Sequence, residues 1–258
     1  GVLGVCDSAN PDKGTPFDCK VLGVVLQFPI LGERIGVPAR VGRTKLDYDV
    51  KLETNGVPVV ALAGTCMEAG KTAAAAAIVS RMRHRGLVVD AFKATGVSLR
   101  RDILAFEDSG ARNTMIFTDL GVVTTTEKTG PALTRAMLTE LSARKPDAIV
   151  FELGDGLIGT YGVAAILECE DIRKSMTSVV LSANDPVAAW GGVKILREKY
   201  GIEPSCVTGP STDNSVGVDI IQEQMKVKAY NALTNGAKLG DAVIDSIGLS
   251  AKFPLAAD

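Results

Sequence analysis

A glycine-bounded loop near residue 70 carries the residues whose types and spacing point most clearly to chemistry. Glycines allow backbone N–H groups to turn toward an anion, and the start of a following helix adds partial positive charge. A lysine there reaches phosphate oxygens, and a hydroxyl ligates Mg²⁺. A coincidental Gly-Lys-Thr turn is the alternative, which the strand-like run before the loop and the helical run after it disfavour. The pattern predicts a phosphate-binding loop formed by Gly64, Thr65, Met67, Glu68, Ala69, Gly70, Lys71 and Thr72.

Charged side chains at the ends of two further apolar runs extend this predicted site. The two side chains are Lys93 and Glu152. A carboxylate at such a position is costly unless it binds a metal ion or a hydrogen-bond donor. We therefore predict Mg²⁺ between Thr72 and Glu152, assisted by Asp155, and a catalytic set of Lys71, Lys93 and Glu152. Lys93 would neutralise a γ-phosphate or hold a substrate carboxylate; a solvated lysine and a structurally paired glutamate are the alternatives.

Two later groups of polar residues are candidates for contacts to a second substrate and to a base. Asp102 and Asp119 lie in a polar connection after the second strand-like run, and we expect metal or substrate contacts from them. Helix caps and salt bridges explain both aspartates equally well. Thr208, Pro210 and Asn214 follow the fifth strand-like run and are candidates for a base slot, because asparagine offers a donor and an acceptor to a purine edge. The same residue types also form turns and caps.

The elements that must position these residues alternate between apolar strand runs and helical stretches. The patterns predict strands over 57–63, 87–92, 148–153, 178–183 and 205–208, and helices over 71–85, 130–144, 185–200, 219–235 and 239–247. This alternation predicts an α/β fold with a doubly wound, mainly parallel sheet and a site at the carboxyl ends of its strands. Runs at 20–28 and 35–41, broken by proline and glycine, predict a small β-rich module. We therefore expect an N-terminal module over residues 1–55 and a phosphate-binding domain over 56–258.

The composition excludes several classes of protein. The chain has 258 residues, 28 Lys and Arg against 30 Asp and Glu, and a net charge of -2, so it offers no general attraction to nucleic acid or membranes. Five cysteines without a CxxC pair and one histidine argue against a disulfide framework or a zinc site, and favour a reducing cytoplasm. No apolar run is long enough for a membrane span. The first residues lack Met and a basic stretch, which indicates a truncated or processed end rather than a signal peptide.

The loop also resembles that of a known group of proteins. It places five residues between Gly64 and Gly70, one more than the general pattern, and this resembles the GTxxExGKT loop of the dethiobiotin synthetase branch of SIMIBI P-loop proteins. Segments 92–96 and 151–157 resemble the K-P-x-x-[SAT]-G and VEGAGG segments of that branch. The form GTxMxxGKT is closest to uncharacterised members. Cys66 stands where the branch has Asp; a thiol at a helix start can be nucleophilic, but a small residue that fits the loop explains it more simply.

The resemblance implies an ATP- and Mg²⁺-dependent ligase or NTPase that activates a small carboxylate or amine substrate by phosphoryl transfer. It also implies adenine as the base and a possible homodimer. One alternative is an N-acyltransferase that binds acyl-CoA phosphates in the loop, because related P-loop proteins with GTDCxxGK loops include such enzymes. Another is a nucleotide-switch or metal-chaperone NTPase, which the lack of a second lysine early in the loop disfavours. We expect a cytoplasmic protein whose partner is a small molecule, with no nucleic acid and no membrane.

Overall fold

A computed structural model of the chain describes residues 3–9, 11–32, 34–42 and 44–249. The strands are β1 (Leu26–Gln27), β2 (Val37–Pro38), β3 (Val59–Gly64), β4 (Val89–Lys93), β5 (Thr114–Ile116), β6 (Ala148–Glu152), β7 (Ser178–Ser182), β8 (Cys206–Thr208) and β9 (Lys228–Ala229). The α-helices are α1 (Lys71–His84), α2 (Arg100–Asp108), α3 (Thr129–Ala143), α4 (Val163–Glu168), α5 (Glu170–Ser175), α6 (Pro186–Tyr200), α7 (Ser215–Ile220) and α8 (Gly236–Ser246). Single 3₁₀ turns cover Pro11–Lys13, Phe117–Leu120 and Pro210–Thr212, and a π-helical turn covers Ile221–Met225.

A seven-stranded parallel sheet in the order β5-β4-β6-β3-β7-β8-β9 forms the centre of the fold in the described part of the chain. Helices cover both of its faces. On β7, Leu181 lies beside Gly192 of α6, whereas the Ser178 hydroxyl accepts a hydrogen bond of 2.9 Å from Ser246 of α8. Residues an odd number of positions apart on a strand point to opposite faces, so α6 and α8 lie on opposite sides of the sheet. This arrangement confirms the predicted doubly wound α/β fold.

The core sits between the sheet and these helices. The strands β3, β4 and β6 are fully buried, as the near-continuous apolar runs of a parallel sheet require. The rings of Phe92 on β4 and Phe151 on β6 stack with a centroid distance of 4.9 Å. Alanines on the sheet-facing side of α1 let that helix approach closely, which places the end of β3 and the start of α1 rigidly together.

The predicted helix over residues 219–235 is wrong beyond Met225. The helix α7 ends at Ile220, a π-helical turn follows, and Lys226 adopts a left-handed φ of 59° that ends the helical path. The chain then pairs with β8 as β9. The Asn231 side chain accepts hydrogen bonds from the Leu233 and Thr234 amides, which stabilises a turn where helix was expected. Tertiary strand pairing outweighs the weak helix preference of this segment.

The connection between β4 and α3 is more ordered than the sequence pattern predicts. It contains the helix α2 and the edge strand β5, neither of which was expected. The sequence does carry one indication of α2, the helical spacing of Ile103 and Phe106. Both residues are buried together with Asp102 on one side of this helix. A nine-residue helix presents too few turns for its periodicity to be clear in sequence alone.

The N-terminal region forms much less sheet than expected. The predicted strands over 20–28 and 35–41 are reduced to the antiparallel pair β1 and β2, each of two residues. Proline cannot donate to a strand ladder, and Pro38 lies within β2 itself. Further along, the amides of Thr44 and Leu46 donate to the carbonyls of Asp119 and Leu120, so this segment lies against the main sheet domain.

The described helices also bear on membrane insertion. Among residues 3–9, 11–32, 34–42 and 44–249, no helix has the length and apolar character needed to cross a bilayer.

Candidate functional site

The loop from Gly64 to Thr72, hereafter the phosphate loop, joins the end of β3 to the start of α1. Gly70 precedes the helix at a φ of 89°, a backbone conformation that favours glycine. A Cβ at Gly64 would lie 2.7 Å from Cδ and Nζ of Lys71, so only glycine leaves room for the lysine to lie over the strand end. The Lys71 ammonium donates a 2.7 Å hydrogen bond to the Cys66 carbonyl. The predicted strand, loop and helix are thus all present.

The Lys71 side chain is buried within this loop, and its electrostatics favour an anion. Removal from water lowers the pKa of Lys71, and the negative charge of Glu152 opposes that shift. A phosphate oxygen would give the ammonium the counter-charge that the neutral carbonyl of Cys66 does not supply. The Thr65 hydroxyl is also buried and has no hydrogen-bond partner among the described residues. Both observations fit a phosphate group in the loop.

Thr72 and Glu152 meet across the sheet as predicted. The Thr72 hydroxyl donates a 2.9 Å hydrogen bond to Oε2 of Glu152. Burial raises the pKa of Glu152, while Lys93 and the Thr72 hydroxyl act in the opposite direction. Two oxygen donors at a phosphate loop fit Mg²⁺, which is usually held by one or two protein oxygens together with water and phosphate oxygens.

A cleft of about 350 Å³ opens beside these groups at the carboxyl ends of β3, β4 and β6. Its wall is lined by residues of the phosphate loop, α1, β4, α2 and β6, namely Met67, Glu68, Gly70, Lys71, Thr72, Ala73, Lys93, Leu99, Arg101, Asp102, Glu152 and Gly154. The structure therefore brings the predicted catalytic set of Lys71, Lys93 and Glu152 to one cleft. It also brings Asp102 there, which the sequence offered only as a second contact.

Lys93 forms a buried ion pair with Asp102 of α2. The side chains are 8% and 9% exposed. Gly154 makes space for this lysine, because a Cβ at that position would lie 2.8 Å from Lys93 Cε and 2.0 Å from the Thr95 carbonyl oxygen. The Gly154 amide donates to the Thr95 hydroxyl at 2.8 Å, which ties the loops after β4 and β6 together around Lys93. The lysine is therefore held in place and is not a solvated edge residue.

Unlike Asp102, the side chains of Asp155 and Asp119 do not line the cleft. Asp155 is buried and close enough to influence Lys71, but it does not line the cleft, and its Oδ2 accepts a 3.4 Å hydrogen bond from the Tyr161 amide. Asp119 accepts from the Ile116 amide at 2.9 Å, which is a turn-capping role. Of the three aspartates, Asp102 is the one placed to serve a metal or a substrate in the cleft.

Of the three residues predicted for the base slot, only Asn214 has a structural hydrogen-bond partner for its side chain among the described residues. Asn214 caps α7 by accepting a 3.0 Å hydrogen bond from Gly217, and Asp185 caps α6 from Ala188. Thr208 is buried at the end of β8, and its hydroxyl has no partner among the described residues. Pro210 begins a 3₁₀ turn that lies beside Gly70 of the phosphate loop.

Two further features of this site depend on how the elements pack together. Leu99 and Arg101, at the start of α2, line the cleft because the unexpected helix turns back over the strand ends. The side-chain amide of Asn184, after β7, donates a 3.2 Å hydrogen bond to the Cys66 sulfur. This bond ties the phosphate loop to the end of the neighbouring strand.

Comparisons with known proteins bear on the fold. No protein-family model and no curated protein matches the sequence. A DUF1611 family protein from Anabaena variabilis is similar in structure, with a TM-score of 0.55 and 12% identity over 81% of this chain and 63% of that one. The hydrogenase maturation factor HypB from Archaeoglobus fulgidus has a TM-score of 0.50 and 12% identity over 75% of this chain and 91% of its own.

A third similar structure is the signal recognition particle receptor FtsY from Elizabethkingia anophelis, with a TM-score of 0.49 and 16% identity over 76% of this chain and 68% of that one. The chain spans less than two thirds of the DUF1611 protein. Identities this low establish the fold alone. The parallel sheet, its helices on both faces and the loop from Gly64 to Thr72 make this a three-layer P-loop NTPase fold.

Proposed function

We propose that the chain is a nucleotide- and Mg²⁺-dependent P-loop enzyme that activates a small carboxylate or amine substrate by phosphoryl transfer. The observation that carries the proposal is the meeting of two lysines, a hydroxyl and two carboxylates on one cleft beside a phosphate loop, namely Lys71, Lys93, Thr72, Asp102 and Glu152. Phosphoryl transfer needs positioning and charge neutralisation more than covalent chemistry from the protein. ATP as the nucleotide is proposed from the resemblance of the loop to that of dethiobiotin synthetases.

Each of these side chains has a role that follows from its position. Lys71 exchanges the Cys66 carbonyl for phosphate oxygens, and Thr72 and Glu152 supply the oxygen donors of the metal site, with Asp102 as a further donor. When bound, Mg²⁺ neutralises charge on the phosphates and holds them in line. Lys93 is released from Asp102 as negative charge collects in the cleft, and it then neutralises the transferred group.

The mouth of the cleft indicates where the second substrate would enter. Arg101 lines the cleft at the start of α2, and its side chain is 81% exposed. Leu99 beside it provides an apolar surface. A guanidinium next to an apolar wall suits a small molecule with a carboxylate at one end.

Ligand-dependent stability distinguishes the candidates. Titration with ATP, GTP or acetyl-CoA, each with and without Mg²⁺, should raise the melting temperature for ATP only when Mg²⁺ is present. A ligand at a hundred times its Kd adds about 2.7 kcal/mol of stability. A greater effect of GTP would change the nucleotide in the proposal, and an effect of acetyl-CoA alone would replace it with the acyltransferase.

The Lys71→Ala variant tests the site directly. We expect it to abolish the nucleotide-dependent rise in melting temperature, since the lysine supplies the charge that holds the phosphates. Lys174→Ala is the matched control, because Lys174 is an exposed lysine far along the chain in α5. A variant Lys71→Ala that keeps the full nucleotide response would refute the assignment of the loop.

A further inference from the structure

A second cleft in the described part of the chain is separate from the phosphate loop. It has a volume of about 640 Å³ and lies where residues 40–42 and 44–48 cross the turn that follows β5. Volumes of about 300–1,000 Å³ are typical of sites for small molecules. None of the residues that line it also lines the cleft beside the phosphate loop. The proposed phosphoryl-transfer chemistry makes no use of it.

The floor of this cleft is apolar and firmly built. Leu46 and Leu120 are buried there, and Val122 packs against the core. The Leu46 amide donates a 3.1 Å hydrogen bond to the Leu120 carbonyl, which joins the two chain segments beneath the cleft. Gly42 approaches Gly121 so closely that a Cβ on Gly42 would lie 2.4 Å from the Gly121 nitrogen. The close approach of these two backbone segments therefore shapes the floor of the cleft.

The rim of the cleft is positively charged. Arg40 and Lys45 both line it, and neither forms a salt bridge or a side-chain hydrogen bond with another residue that the structure describes. Tyr48 lines the same rim, and the Lys128 ammonium lies 5.8 Å from the centre of its ring. Two cations thus line the cleft above its apolar floor, with no carboxylate among the lining residues that the structure describes.

We propose that this cleft is a second binding site, for an amphipathic anion with an apolar body and a carboxylate or phosphate head. The apolar body would lie over Leu46, Leu120 and Val122, and the head would pair with Arg40 and Lys45. Transfer of the apolar body from water drives binding, and charge-assisted hydrogen bonds to the head select an anion. Binding at this cleft does not depend on nucleotide binding at the phosphate loop. The two proposals can therefore be tested and refuted separately.

Four eight-carbon probes test the chemistry of the head group. We expect octanoate and octyl phosphate to bind, as measured by isothermal titration calorimetry, and octan-1-ol and octylamine to bind at least tenfold more weakly. Amide chemical shifts of Gly42, Leu46 and Gly121 should move during the octanoate titration, which locates the bound probe. Equal binding of octan-1-ol would overturn the claim that the site selects anions, and no binding of either anion would overturn the site itself.

Matched variants test the location. The double variant Arg40→Gln/Lys45→Gln should lose at least tenfold in octanoate affinity. The control is Lys20→Gln/Arg34→Gln, which removes two exposed cations of the same region that lie outside the cleft. This control should bind octanoate as tightly as the unchanged chain does. Val41→Trp places a bulky side chain in the cleft while both cations are kept in the chain, and it should also abolish binding. The experiments are repeated in Lys71→Ala, where octanoate binding should persist. Affinity retained in Arg40→Gln/Lys45→Gln, or lost equally in the control pair, contradicts the assignment.

Discussion

The buried ion pair between Lys93 and Asp102 yields a prediction whose size follows from its burial. Asp102→Asn keeps the shape of the side chain but leaves the ammonium of Lys93 without its counter-charge, in a place that water barely reaches. Removal of one partner from a buried pair costs about 3–5 kcal/mol. We therefore expect Asp102→Asn to lose about 3–5 kcal/mol of unfolding free energy.

Thermal unfolding measures this loss. For a domain of this size, one kcal/mol moves the melting temperature by about 2–4 °C, so Asp102→Asn should melt about 6–20 °C lower at pH 7. Arg101→Gln is the control: the Arg101 guanidinium is also near Asp102, at 3.8 Å, but it is largely exposed, so its loss should cost less than about 1 kcal/mol.

A double variant separates charge from packing. Lys93→Met/Asp102→Leu removes both charges and should recover most of the stability lost in Asp102→Asn, since an apolar replacement of a buried pair is often neutral. If the double variant were as unstable as Asp102→Asn, the stability at this position would depend on the shape of the side chains and not on their charge. An unchanged melting temperature of Asp102→Asn would refute the reasoning altogether.

Three further predictions concern the same cleft. Gly154→Ala should cost about 1–3 kcal/mol in urea unfolding, because its Cβ would lie 2.0 Å from the Thr95 carbonyl oxygen, whereas Gly191→Ala, with nothing within 4 Å, should cost nothing. Thr72→Val should remove the dependence of nucleotide affinity on Mg²⁺, measured by titration at several Mg²⁺ concentrations, and an unaltered dependence would exclude Thr72 from the metal site. Burial raises the pKa of Glu152 above its ordinary value of 4.5, so the folded state holds that proton at a higher pH than the unfolded chain does. The unchanged chain should therefore lose stability relative to Glu152→Gln as the pH rises from 4.5 toward the folded-state pKa, and a constant difference in urea unfolding would contradict this.

Local patterns predicted the elements that carry the phosphate loop. The strand over 57–63 and the helix over 71–85 correspond to β3 and α1, and the helix over 185–200 corresponds to α6. Long apolar runs and a glycine-bounded loop are properties of consecutive residues, so they can be recognised without knowledge of distant contacts. The helix predicted over 219–235 was wrong because this segment depends on a contact that its own residues do not reveal. Its strand β9 exists only through pairing with β8.

The identity of the phosphate loop, the α/β class and the pairing of Thr72 with Glu152 were determined by the sequence itself, since each depends on residue types at the ends of consecutive elements. Only the tertiary structure decided that Asp102 pairs with Lys93, because α2 has to turn back over the strand ends before the two charges meet. The same holds for the cleft rimmed by Arg40 and Lys45, which exists only where the N-terminal segment crosses the turn after β5. A sequence pattern records which side chains are present along the chain, but burial and counter-charges arise from elements that pack together across it.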